Sequence, residues 1–344
     1  MYHSTKKVFL MAIVTGLIVG SYPSISTPVA LAAELKPIAF RYSTGLPPLH
    51  ALAAETMPYF EKEIAKRTAG RVKIELYPGG QLYKHDQAVE AISMGALDMA
   101  LNSFSHWAGR NPIFSFSAYY FLITNLDQWK RARDKVSQII DPLYEAQGAK
   151  IIGYASFGLA GIISSVPIRR AEDFKGLKIR GPTAAHLEGI AGLGATPMRV
   201  SEGEQYDAIA KKAVHGGSTG YVTMESRKLY EVGKFIFGPT AWEPWVVTMN
   251  LTKWKGLPSD IQKIFLEVGK ETADFSINRQ EVHDVEVVER LKQKGVSFTI
   301  LTSEQLDSYR KMLDPVYQNW VKQCEAKGSG AAAKTIIEII DAAK

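Results

Sequence analysis

From Ser259 to Lys294 the chain reads as a single helix, and no other feature restricts the fold so strongly. The run has no proline and one internal glycine, Gly269; Ser259 and Gln262 have the spacing of a capping box, and Gly295 supplies the stop. At 1.5 Å per residue, about 36 residues reach about 54 Å, longer than one small domain is wide. The sequence therefore predicts two domains with this helix spanning both. Its apolar positions Ile261, Phe265, Val268, Phe275, Val282 and Val285 are expected to keep one stripe toward the core. That stripe also fits an ordinary packed helix, whereas the sustained heptads of a coiled coil are missing.

The rest of the chain alternates. "IAFRYST" (38–44) reads as a strand, and Ala53, Met57, Phe60 and Ile64 then recur at helical spacing up to Gly70. "RVKIELYP" (71–78) alternates as a strand, "KHDQAVEAISM" (84–94) reads as a helix stopped by Gly95, and "ALDMAL" (96–101) as a short buried strand. A second run opens near Lys150 with "KIIGYAS", "IISSVPI" and "LKIR", continues as a helix after Pro182 and a strand in "TPMRV", and reaches a helix from Ser201 whose Ser-x-x-Glu204 is a capping box. This is α/β organisation, with mixed, mainly parallel sheets in two units.

The first residues have a separate role. Lys6 and Lys7 precede an apolar run from Val8 to Gly20, and "VALAAE" places Ala30 and Ala32 in the A-x-A arrangement, so residues 1–32 read as a secretory signal peptide cut after Ala32. An uncleaved membrane anchor would need about 20 apolar residues, more than this run offers. Cleavage removes two lysines and no acid and lowers the formal net charge from +6 to +4. The remaining surplus is spread thinly, without a basic stripe or interleaved aromatics, so a nucleic-acid partner is disfavoured. Cys324 is the only cysteine and can form no intramolecular disulfide.

Local catalytic and cofactor motifs are missing. "GLGATP" (192–197) has Pro197 where a dinucleotide fingerprint needs its third glycine, and it follows a helix. "GGSTG" (216–220) lacks the lysine of a phosphate loop, and His50, His85, His106, His186, His215 and His283 show no metal-ligand spacing. No metal, no cofactor and no catalytic residue is therefore assigned. The polar residue that stands out is Arg180 in "GLKIRGP", at the end of a short strand and before Gly181-Pro182 and a helix. Strand ends of this kind hold ligands in α/β proteins, and a guanidinium is a fork for carboxylate or phosphate. From the residues alone, an arginine paired with a structural Asp or Glu is the equal alternative.

The stretch "GLKIRGPTAAHLEGIAGLGATPMRVSEGEQYDAIAKKAVHGGSTGYVTMESRKLYEVGKFI" resembles the signature half of the DctP-type solute-binding proteins of tripartite ATP-independent periplasmic (TRAP) transporters. "AGRVKIELYPGGQLY", "GALDMAL" and "PWVVTMNLTKWKGLPSDIQ" are similar to further motifs of that family, so the resemblance covers nearly all of residues 36–320.

The resemblance implies a two-domain periplasmic-binding-protein clamshell with strands crossing between domains: 33–155 plus 241–280 form one domain, 156–240 plus 281–344 the other, and the ligand cleft lies between them. It implies that Arg180 forms a two-pronged salt bridge with the ligand carboxylate. It departs from the family where "VHGGSTG" puts Thr219 in place of an amide and His215 in place of an acid, and where 156–164 carries no basic residue. Expected cleft residues are therefore Arg180, Thr219, Phe157, Trp242 and Trp107. One arginine among aromatics suits a monocarboxylate with an apolar or aromatic body. The expected function is an extracytoplasmic, periplasmic solute-binding protein, acting as a monomer, that captures a small organic acid and delivers it to TRAP membrane permease subunits. A dicarboxylate or sugar acid is the alternative ligand. A secreted α/β hydrolase or lyase using Arg180 as an oxyanion clamp is the alternative activity, disfavoured by the missing nucleophile motif, and a sensor input module is a further alternative role.

Overall fold

Two 16-residue strands, β4 (Ala149–Ser164) and β8 (Phe235–Asn250), run antiparallel along their whole length and carry the rest of the sheet. They belong to a computed structural model that describes residues 37–344; the expected signal peptide at 1–32 lies outside the described residues. The other strands are β1 (Ile38–Ser43), β2 (Val72–Tyr77), β3 (Met99–Ser103), β5 (Lys178–Gly181), β6 (Thr196–Arg199), β7 (Gly216–Gly220) and β9 (Ser297–Ile300). Their order is β2-β1-β3-β8-β4-β7-β5-β6, with β9 added to β8. β1 pairs with β2 and β3 in parallel, β5 with β6 and β7, and β8 with β9, while β3–β8, β4–β7 and β4–β8 are antiparallel. The sheet is thus mixed and mainly parallel, and among the described residues no helix is long and apolar enough to cross a membrane.

β3 joins the half of β8 near Trp245–Met249, whereas β7 joins the half of β4 at Ala160–Ser164. The two βαβ runs therefore share β4 and β8 as crossing strands. "KIIGYAS" and "IISSVPI", read as separate strands, are parts of one. What hid their continuity is a series of register shifts, at Ile151/Gly153, Ser156/Gly158 and Ala160/Ile162, which reset the in-and-out alternation. Gly158 takes φ +86°, a conformation that side-chain-bearing residues rarely adopt.

The long helix spans Ser259–Gln293, 35 residues or about 52 Å. It begins at Ser259 itself, so Ser259 makes no capping bond, and Gln262 instead donates to the Trp254 carbonyl at 2.9 Å. Ile261, Phe265 and Val268 enter a core with Phe40, Met57 and Phe60; Ile277 enters a second with Phe104, Trp129 and Tyr144; Val287 and Leu291 enter a third with Ile163, Met224 and Ile236. The expected stripe ends halfway: Val282 and Val285 are exposed, and the buried face beyond Gly269 carries Thr272, Ser276 and Gln280. The cause is the neighbour, because here the helix lies on the irregular part of β4. Ser276 Oγ accepts from the Ser156 N–H at 2.8 Å, and the Asp284 carboxylate accepts from the Leu159 N–H at 3.2 Å. Backbone groups freed by the register shifts need polar partners, and the helix supplies them.

Candidate functional site

A cavity of about 460 Å³ opens where the C-terminal ends of β1, β2 and β3 face those of β5 and β6. Gly45, Gly79, Gly80, Lys84, His85, Asp86 and His106 line it from one half of the sheet, and Arg180, Pro182, Arg199, Ser201–Glu204 and Arg227 from the other. Arg199 reaches across to Asp86 at 3.0 Å.

Arg180 is the buried anchor of this wall, 1% exposed. On β5, Ile179 points into the core and Arg180 to the opposite face, as strand alternation requires. Its Nε donates to the Val200 carbonyl at 2.9 Å; Nη1 donates to the Ser218 carbonyl at 2.9 Å and to Gln205 Oε1 at 3.2 Å. Nη2 is buried with no hydrogen-bond partner among the described residues. No described Asp or Glu oxygen lies within 4.0 Å of the guanidinium, so the structural ion pair left open by the sequence is not formed. Burial lowers its pKa to about 10, which leaves it charged at neutral pH. A buried charged donor without an acceptor is costly unless a ligand completes it, and Arg180 has a whole nitrogen to offer. Gly217 makes room for this packing: a Cβ there would stand 2.6 Å from Gln205 Nε2 and 3.2 Å from Arg180 Cβ.

Facing Arg180 is a cluster that the sequence reading missed. His85 and His106 stack at 4.5 Å and 7° and meet Trp245 edge-on. His106 Nδ1 accepts from the Ser103 N–H at 3.2 Å, which leaves Nε2 as its protonated, donating nitrogen. Both nitrogens of His85 are buried and have no partner among the described residues, and burial pushes its pKa down to about 3, so the ring is neutral. The Glu202 carboxylate lies 3.5 Å from His85 Nε2, 3.6 Å from His106 Nε2 and 3.7 Å from Arg227 Nη2. Burial alone would raise the Glu202 pKa; the N–H edges of the facing His85 and His106 rings and the Arg180 guanidinium hold it well below the usual carboxylate range. Among the described residues no set of three or more His, Cys, Asp or Glu side chains is placed to hold a metal ion.

Behind this cavity a chink of about 20 Å³ is lined by Phe157, Thr219, Trp245, His186 and Glu243 together with Arg180. Phe157 stacks on Trp245 at 4.7 Å and 4°, and His50 lies parallel on Phe157 at 5.4 Å. Gly220 is needed here, since a Cβ would stand 2.5 Å from the Phe157 ring. His186 Nε2 faces Glu243 Oε1 at 3.2 Å.

Arg180, Thr219 and Phe157 are thus brought together, whereas Trp242 and Trp107 line neither cavity. Trp242 is buried in the core because Glu243 and Trp245 share the other face of β8, and alternation sends Trp242 away. Trp107 is wholly buried against Tyr144, its Nε1 donating to Asn102 Oδ1 at 3.3 Å. Of the stretch 156–164 only Phe157 lines these cavities. His215 accepts from the Lys178 N–H through Nδ1 at 2.9 Å and so braces β5. The missed residues carry one faint signal: His106 lies three residues past the C-terminal end of β3, and His85 opens the helix that follows β2.

The profile of the family described as "Bacterial extracellular solute-binding protein, family 7" (DctP) matches residues 42–323. The chain is 24% identical over 335 residues, 94% of this chain and 98% of the relative, to the C4-dicarboxylate-binding periplasmic protein DctP of Rhodobacter capsulatus. It is 23% identical over 291 residues, 83% of this chain and 87% of the relative, to the 2,3-diketo-L-gulonate-binding periplasmic protein YiaO of Escherichia coli K12. A crystal structure of a TRAP periplasmic solute binding protein from Desulfovibrio salexigens with bound orotic acid superposes with a TM-score of 0.82 at 23% identity, covering 89% of this chain and 99% of that one.

Proposed function

The chain belongs to the family 7 bacterial extracellular solute-binding proteins, the DctP type, and from that premise we propose that it captures a small monocarboxylate with an apolar or aromatic body. The carboxylate sits on Nη2 of Arg180, a buried donor that has no acceptor among the described residues and belongs to a residue lining the cavity; that observation carries the reading. The body lies toward the stacked rings of Phe157 and Trp245. Charge supports one carboxylate: Lys84, Arg180, Arg199 and Arg227 face Asp86, Glu202 and Glu204 in the large cavity, leaving one positive charge in excess. Each charge-assisted hydrogen bond there contributes about 1.5–3 kcal/mol once water is excluded.

Binding and release are the whole of the chemistry. The protein is exported to the periplasm by its leader, the two domains at 33–155 plus 241–280 and 156–240 plus 281–344 close over the acid, and membrane permease subunits of a TRAP system receive it. A hydroxylated sugar acid is the second reading, favoured by the unpartnered buried donors of Gln205 and Ser218 beside Arg180. The test is a thermal-shift screen of the purified protein against mono-, di- and sugar acids, followed by calorimetry of the hits on wild type and Arg180→Ala. Hits that bind Arg180→Ala as tightly as wild type would remove the basis of the proposal.

A further inference from the structure

The cleft holds an anion of its own. Glu202 stands on the short turn Glu202–Glu204, whose approach is fixed because Arg180 Nε bonds the Val200 carbonyl and because Ser201 Oγ donates to the Glu204 carboxylate. From there the Glu202 carboxylate projects between the imidazoles of His85 and His106, which belong to the opposite half of the sheet, and Arg227 on its own side. The three separations, 3.5, 3.6 and 3.7 Å, all exceed ordinary hydrogen-bond lengths. Among the described residues Arg227 Nε and both His85 nitrogens are buried without partners, and of these the Arg227 Nε–H and the single N–H of the neutral His85 ring are donors. This is an anion position with donors to spare, occupied by a side chain of the protein, beside a second position at Arg180 Nη2 that no described side chain fills.

We infer that Glu202 sets the charge capacity of the cleft: it fills one of two anion positions, so that the site accepts one ligand carboxylate, at Arg180, and rejects a second. The inference rests on the reading of Arg180 as the carboxylate anchor and adds the residue that decides between ligand classes. A dicarboxylate has to place its second group beside Glu202, against like charge, or displace Glu202 from His85, His106 and Arg227. An apolar or aromatic body meets neither obstacle. Without the charge at 202, Arg227 and the imidazoles become available to a second ligand carboxylate.

Two variants separate charge from shape, Glu202→Gln and Glu202→Ala, each checked for folding by circular dichroism. Isothermal titration uses benzoate and isovalerate as monocarboxylate probes and malonate and succinate as dicarboxylate probes. The expected result is a gain of about tenfold or more in affinity for malonate or succinate in both variants, with less than about threefold change for the monocarboxylates. In Glu202→Ala, millimolar acetate should also raise the melting temperature by refilling the vacated position, with little effect on wild type; this readout is decisive even where benzoate and isovalerate bind poorly. Folded variants that gain neither dicarboxylate affinity nor an acetate response overturn the inference, and so does a variant that loses monocarboxylate binding, because Glu202 would then be a contact of the ligand. If instead Arg180→Ala binds the probes like wild type, the underlying assignment of the anchor fails, a pattern distinct from failure at Glu202 alone.

Discussion

Gly269 on the long helix and Gly153 on β4 face each other so closely that a Cβ on Gly153 would stand 2.7 Å from the Gly269 carbonyl oxygen. A Cβ on Gly269 would in turn run into the Ile152 carbonyl. The one glycine inside a helix of 35 residues is therefore a packing contact, and its low helix propensity is offset by the approach it permits. Gly269→Ala should destabilise the protein by about 1–3 kcal/mol, the usual range for overpacking, although alanine is the better helix former. Urea unfolding measures it; a stabilised variant would mean that β4 and the helix can separate at no cost.

Arg180→Ala should weaken binding of the carboxylate ligand by about two to four decades, since an uncompensated buried carboxylate costs about 3–5 kcal/mol. Lysine should restore only part of this. It lacks the nitrogens that simultaneously hold the Val200 and Ser218 carbonyls and leave Nη2 for a ligand. Calorimetry on both variants gives the order.

Trp245 and Trp242 are three residues apart and should behave in opposite ways. Trp245→Leu removes a ring from the cavity lining and should lower affinity for aromatic acids by about two- to twelvefold, the worth of about 0.5–1.5 kcal/mol of stacking, with a smaller effect on aliphatic acids. Trp242→Ala should cost about 3–5 kcal/mol of stability, as a core truncation does, and leave the ratio of aromatic to aliphatic affinity unchanged. Paired titrations and melts of the two variants separate these outcomes.

Asp284 is held under β4, and burial raises its pKa from the ordinary value of 3.8 to about 7, against the opposing bonds from Gln280 and the Leu159 N–H. The folded state then binds a proton that the unfolded state releases, so this group's contribution to stability falls as pH rises from about 4 to about 7 and is flat above. Asp284→Asn should therefore gain on wild type between pH 5 and pH 8, by on the order of 1–3 kcal/mol. Urea titrations at several pH values follow the difference; one that does not vary with pH would mean that Asp284 stays ionised in the folded protein.

Arg180 could be singled out from sequence because everything that marks it is local: the alternation Leu177-Ile179, the Gly-Pro stop and the helix after it lie within a few residues. His85, His106, Glu202 and Arg227 could not. Each is a single polar residue in an unremarkable segment, and they meet only because β4 and β8 set the strand ends of one half opposite those of the other. Trp242 could not be placed for a related reason: which of Trp242 and Trp245 faces the cavity depends on the phase of β8, fixed by pairing partners far away in sequence. The long helix was legible in extent and not in its packing face, since the polar residues Thr272, Ser276 and Gln280 are dictated by bulges in a strand more than a hundred residues earlier.

The chain passes between the two halves of the sheet three times, through β4, β8 and the long helix. On the proposed reading, an acid docked on Arg180 would not have to find His85, His106 and Trp245 by diffusion. Those groups are tethered by the same chain, so engaging them is an intramolecular event. Three passes also leave little torsional freedom, so the entropy of bringing the second wall to the ligand is largely lost when the protein folds and is not charged again at each capture. Weak individual contacts between the two walls are enough under these conditions, and the 3.5 and 3.6 Å separations of Glu202 from His85 and His106 are of that kind.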